Sequence, residues 1–166
     1  MTTNIQLPAK GQYWIFALVA TLMFLGWHGY FFNIGDQEEH LPQVYKMFQP
    51  ELYPHDYFMV PNEETFSVRF FYKLTVFLFS QIMPVSIACF LLTFICIYFS
   101  AWAVSRISGY FNQSPVAALL APALLLVVFP DYALGDNSYQ DNALLCSSVS
   151  IMFCTLALLQ YFRGRF

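Results

Sequence analysis

Four apolar runs divide the chain, at residues 13–32, 84–104, 115–129 and 143–162, and no charged side chain falls in any of them. A crossing of a hydrocarbon core about 30 Å thick takes about 20 predominantly apolar residues. Three of the runs meet that length outright. The third is short and carries Pro122, which predicts a kink or an extension by flanking residues. The first begins and ends in aromatic residues, as interfacial belts do. The fourth opens with Cys146, Ser147, Ser148 and Ser150, a small and weakly polar face suited to helix packing.

The segments between the runs carry a different period. Leu41, Val44, Tyr45 and Phe48 recur at helical spacing and predict a short amphipathic helix that Gln49-Pro50 ends. Asp36 followed by Glu39 resembles a capping box at its start, with Asp36 as the cap. Pro54 and Pro61 keep the next stretch extended. Residues 65–82 return to a helical pattern: Phe66, Phe70, Leu74, Phe77 and Leu78 form a broad apolar surface, and Arg69 and Lys73 sit one turn apart on a narrower face. That pattern predicts an interfacial helix, half sunk among head groups. Gly135-Asp136-Asn137-Ser138 is a turn signal in the second polar segment.

These elements predict an all-α integral membrane protein: about four transmembrane helices, a long outer loop (residues 33–83) with short amphipathic or interfacial helices, and a short outer loop (residues 130–142). The whole chain, 1–166, reads as a single membrane unit. Composition agrees: 58% of residues are hydrophobic and 10% charged, against roughly 25% charged in soluble domains.

Charge sets the orientation. Lys10, Arg106, Arg163 and Arg165 share one side if the chain crosses four times, and the positive-inside bias makes that side cytoplasmic. Both termini are then cytoplasmic. All ten carboxylates fall outside, in the two loops, together with Lys46, Arg69 and Lys73. The first run lacks a small-residue cleavage site and reads as a retained anchor in the cell membrane. Cys89, Cys96, Cys146 and Cys154 have no metal-ligand spacing and read as buried small side chains. The net charge of −3 gives no footprint for nucleic acid.

The string Gly35-Asp36-Gln37-Glu38-Glu39-His40-Leu41-Pro42, followed by Leu52-Tyr53-Pro54 and Asp56, resembles bacterial multi-pass proteins related to the GT-C superfamily of membrane glycosyltransferases. The order of elements is similar too: a first span, a long outer loop opening on an acidic motif, an interfacial helix, then further spans. The resemblance implies the N-terminal part of a hexosyltransferase whose donor is a sugar on a polyprenyl phosphate. It also implies that an acidic residue soon after the first span serves as catalytic base or binds the acceptor.

Asp36 is the candidate for that role. A carboxylate at the membrane surface can take the proton of an acceptor hydroxyl or hold a divalent cation that organises the donor phosphate. Glu38, Glu39, His40 and Asp56 are supporting candidates, and Arg69 with Lys73 are candidates for phosphate contact. The bland reading of Asp36 is a helix cap, that of Glu38 and Glu39 a solvated face, and that of Arg69 and Lys73 an anchor to ordinary lipid head groups. The competing assignment is a non-catalytic four-helix membrane subunit that packs against a larger membrane-protein partner through its fourth span. A transporter is disfavoured, because His28 is the sole ionisable side chain within a predicted span.

Overall fold

The computed structural model describes residues 11–54, 69–128, 143–144 and 146–164. Helices α1 (Gln12–His28), α2 (Asp36–Phe48), α3 (Phe70–Ser80), α4 (Val85–Asn112), α5 (Pro115–Ala123) and α6 (Cys146–Arg163) follow in order, with a π-helical segment, Leu124–Val128, continuing α5. No strand occurs among the described residues. Two helices, α4 and α6, are long and apolar enough to cross a membrane by length and composition. At 1.5 Å per residue they extend about 42 and about 27 Å.

The helix ends differ from the apolar runs for local reasons. The first run extends to residue 32, but α1 stops at His28, where Gly29 adopts φ 75° and donates its N–H to the Leu25 carbonyl at 3.0 Å. Positive φ is open to glycine at little steric penalty. The predicted second span ends at residue 104, yet α4 runs eight residues further. Arg106 therefore lies within the helix, its guanidinium 4.9 Å from the ring centre of Tyr13, 5.9 Å from Trp102 and 5.7 Å from Tyr110. Three aromatic faces around one cation let the helix carry that charge onward. Gln113, at φ 49°, ends it. Ser114 then caps α5 by accepting from the Ala117 N–H, with Pro115 in the first turn.

The α4–α5 hairpin is tied by two hydroxyls. Ser105 Oγ donates to the Ala118 carbonyl at 2.6 Å and Ser108 Oγ to the Ala117 carbonyl at 3.1 Å. Pro122 is buried within α5 and has no N–H for the carbonyl four residues back. That carbonyl belongs to Ala118, so Ser105 supplies a donor where proline removed one.

Helix α4 is the hub, packing against α1, α3, α5 and α6. Its buried face is rich in small residues, among them Ala88, Cys89, Ser100, Ala101 and Gly109, which let neighbours approach closely. Gly109 faces Tyr13; a Cβ there would lie 2.6 Å from the phenol oxygen. That contact joins the start of α1 to the end of α4, so the two run antiparallel. Phe162 meets Phe111 edge-on at 5.1 Å, joining the ends of α6 and α4, which run parallel.

The core has two parts. Ala17, Ala20 and Phe24 of α1 meet Ile97 and Ala101 of α4 and Leu126 of the π-helical segment. Leu41 and Val44 of α2, Tyr72 and Val76 of α3, and Cys89, Leu92 and Cys96 of α4 enclose Leu144, just ahead of α6. The opposite face of α1 is exposed and apolar, including Trp14, Leu18, Leu22 and Trp27. Cys89 and Cys96 are buried as expected, while Cys154 lies on the exposed side of α6.

Candidate functional site

The acidic motif sits at the bundle end where α1 finishes and α4 and α6 begin. Between α1 and α2 the backbone turns through three positive-φ residues, Gly29 at 75°, Asn33 at 60° and Gly35 at 55°. Gly35 is the N-cap of α2, and Asp36 is the first helical residue. This corrects the capping-box reading: the cap is one residue earlier, so Asp36 and Glu39 are not in the register that a box requires. The backbone of Asp36 is placed here, and its side chain lies outside the described residues, as do all of Asp56, Asp131, Asp136 and Asp141.

Gln37 organises this end. It is completely buried. Its Oε1 accepts from the Asn33 N–H at 2.6 Å and its Nε2 donates to the Leu144 carbonyl at 3.0 Å. Tyr72 Oη donates to the same carbonyl at 3.0 Å. A carbonyl has two acceptor lone pairs, so Leu144 takes one donor from α2 and one from α3. His40 is buried beside them, its ring edge-on to Tyr72 at 5.8 Å. His28, at the end of α1, packs its ring 4.8 Å from Phe24.

Arg69, the N-cap of α3, and Lys73, within it, are turned towards α2. Arg69 Nη1 lies 3.2 Å from Glu39 Oε2, and Lys73 Nζ donates to Gln43 Oε1 at 2.6 Å. Both pairs step forward by four residues on each helix, which makes α2 and α3 parallel neighbours. Phe48 against Phe77 at 4.7 Å continues the register. The Arg69–Glu39 pair is exposed, and such pairs contribute at most about 1 kcal/mol. Lys73 is different: it is 8% exposed, and burial lowers its pKa from the usual value. Its ammonium faces a neutral amide there.

The structure thus brings Glu39 to Arg69 and His40 to Tyr72, and leaves Glu38 exposed. Glu38 and Glu39 are successive helix residues, about 100° apart around α2, and Glu39 is engaged by Arg69. These two carboxylates do not converge on one ion. Among the described residues no group of three or more His, Cys, Asp or Glu side chains is placed to hold a metal.

Gln37, Gln43 and Tyr72 were not singled out from sequence. A signal existed for the first: residues 37, 41 and 44 share one helical stripe with His40. A glutamine on an apolar stripe needs partners for both ends of its amide.

Together these features define an all-helical apolar bundle capped at one end by a parallel pair of short helices. Comparison of the chain with protein-family models, with curated proteins and with solved structures finds no match.

Proposed function

We propose that this chain is a four-crossing integral membrane protein of GT-C-like architecture, acting in hexosyl transfer from a polyprenyl-phosphate-linked sugar at the extracytoplasmic face. The observation that carries this reading is the anchoring of the acidic start of α2 by Gln37 to the segment ahead of α6, which holds position 36 at the rim of the bundle. Four crossings are supported by the alternating directions of α1, α4, α5 and α6 and by the exposed apolar face of α1. Arg106 and Arg163 lie towards one end, and the acidic motif at the other, which supports cytoplasmic termini.

In the mechanism, an acceptor hydroxyl attacks the anomeric carbon and gives its proton to Asp36. The bond from that carbon to the phosphate oxygen breaks with its electron pair, releasing polyprenyl phosphate, and the anomeric configuration inverts. Lys73 would face the phosphate if Gln43 releases it; Arg69 would first have to leave Glu39.

The test uses full-length protein in lipid nanodiscs with a polyprenyl-phosphate hexose, reading release of polyprenyl phosphate. Asp36→Asn should lower kcat by about 10²- to 10⁴-fold, the usual contribution of a general base. Wild-type turnover in a correctly inserted Asp36→Asn protein removes Asp36 from the mechanism.

A second reading, a non-catalytic subunit packing on a larger membrane protein, draws on one observation. Arg69 and Lys73 are both engaged with α2, on Glu39 and Gln43, in place of a phosphate. A photo-crosslinker at Phe153, on the exposed side of α6, would capture one discrete protein under this reading and lipid under the first.

A further inference from the structure

We infer that Gln37 is a positioning residue for Asp36, latching the start of α2 to the segment ahead of α6 through the Leu144 carbonyl; this rests on the transferase reading of Asp36. Asn33 and Gly35 both sit at positive φ, and two backbone bonds close the turn locally, from the Gln37 N–H to the Ile34 carbonyl at 3.1 Å and from the Glu38 N–H to the Gly35 carbonyl at 3.0 Å. The side chain of Gln37 adds the tie from this local turn to the rest of the bundle. Its Oε1 fixes the Asn33 N–H, and its Nε2 reaches a backbone carbonyl 107 residues away. Because Gln37 follows Asp36 directly, any slack in the latch is transmitted to position 36 through a single peptide unit.

Tyr72 shares the acceptor but holds it from α3. The two donors therefore have separable tasks. Gln37 joins α2 to the segment ahead of α6, whereas Tyr72 joins α3 to it. Loss of the Tyr72 hydroxyl leaves both bonds of Gln37 in place.

The chemistry of the amide provides a test that a merely structural role would not satisfy. In Gln37→Glu, a protonated carboxyl can still accept from Asn33 and donate to Leu144. An ionised one can only accept, and sets an anionic oxygen against the carbonyl. The latch then opens as pH rises; His40, Tyr72 and Tyr30, the titratable groups around position 37, are common to variant and wild type, so the ratio between the two reports the introduced carboxyl.

The experiment measures polyprenyl-phosphate release and amide exchange on full-length protein in nanodiscs, across pH, each variant as a ratio to wild type. For Gln37→Glu the kcat ratio should approach one at low pH and fall about a hundredfold at high pH, the usual penalty of a misplacement near 1 Å, with KM nearly unchanged. Amide exchange at residues 36–40 and 146–152 should rise together over the same pH range. Gln37→Leu should show both losses at every pH, and Tyr72→Phe should raise exchange at 146–152 while sparing 36–40. A pH-independent kcat ratio, or exchange at 146–152 that stays at wild type in both Gln37 variants, overturns the inference. Full activity in Gln37→Leu with an inactive Asp36→Asn overturns it while leaving the transferase reading intact. A wild type that releases no polyprenyl phosphate removes that reading and the positioning role with it, and the exchange data then report on the latch alone.

Discussion

Ser105 Oγ donates to the Ala118 carbonyl across the α4–α5 hairpin at 2.6 Å, at the acceptor that Pro122 leaves without its α-helical N–H. Ser105 and Ala118 are both fully buried, and a buried carbonyl without a donor is costly. Ser105→Ala should therefore destabilise the protein by about 1–2 kcal/mol. Added to Pro122→Ala, which restores the N–H, the same change should have a smaller effect. Unfolding in mixed micelles, run as a double-mutant cycle, checks this; equal effects in both backgrounds would show that the two residues act independently.

Gly109 admits Tyr13 one turn beyond Ser105 on α4. A methyl group there would lie 2.6 Å from the phenol oxygen and 3.0 Å from Cε1. Gly109→Ala should lower stability by about 1–3 kcal/mol, as overpacking does, and Tyr13→Phe in the same chain should recover part of it. Quenching of Trp102 and Trp14 fluorescence reads the movement, since those rings stack at 4.6 Å beside the Arg106 guanidinium.

Burial holds the Lys73 ammonium below its ordinary 10.5. The unfolded chain then binds this proton more tightly than the folded one. Between the lowered folded value and 10.5, the unfolded state carries more protons, so stability rises with pH across that window. Below the window the penalty for the buried charge is fully present. Thermal melts should show wild type gaining stability relative to Lys73→Met as pH rises into the alkaline range; parallel pH profiles would contradict the assignment.

Topology has a direct chemical test. With the native cysteines replaced, single cysteines at Glu38 and Arg163 should label from opposite sides of intact cells with a charged maleimide. Glu38→Cys should react from outside, and Arg163→Cys only after permeabilisation. Labelling of both from one side would exclude the four-crossing arrangement.

Much of the fold was legible because its signals are periodic and local. The apolar runs gave α1, α4, α5 and α6, and the spacing of Leu41 and Val44 gave α2 with its buried face. The errors cluster at helix ends. A run of apolar residues does not reveal that Gly29 turns at φ 75° or that three aromatic rings admit Arg106 into a helix. Residue type also missed the side on which Cys154 falls.

The candidate site was legible in residue type and not in pairing. Asp36, Glu39, His40, Arg69 and Lys73 all stand out as polar groups beside apolar runs. Nothing local links Arg69 to Glu39 or Lys73 to Gln43, each 30 residues away, because that register exists only once α2 and α3 lie parallel. The sequence by itself determined the helical class, the apolar bundle and the confinement of the carboxylates to the two polar segments, since these follow from the transfer free energies of runs of side chains. Tertiary structure decided that Gln37 is the buried anchor, that Ser105 answers Pro122 and that the cations of α3 face α2. Those outcomes depend on which backbone groups each burial leaves in need of a partner.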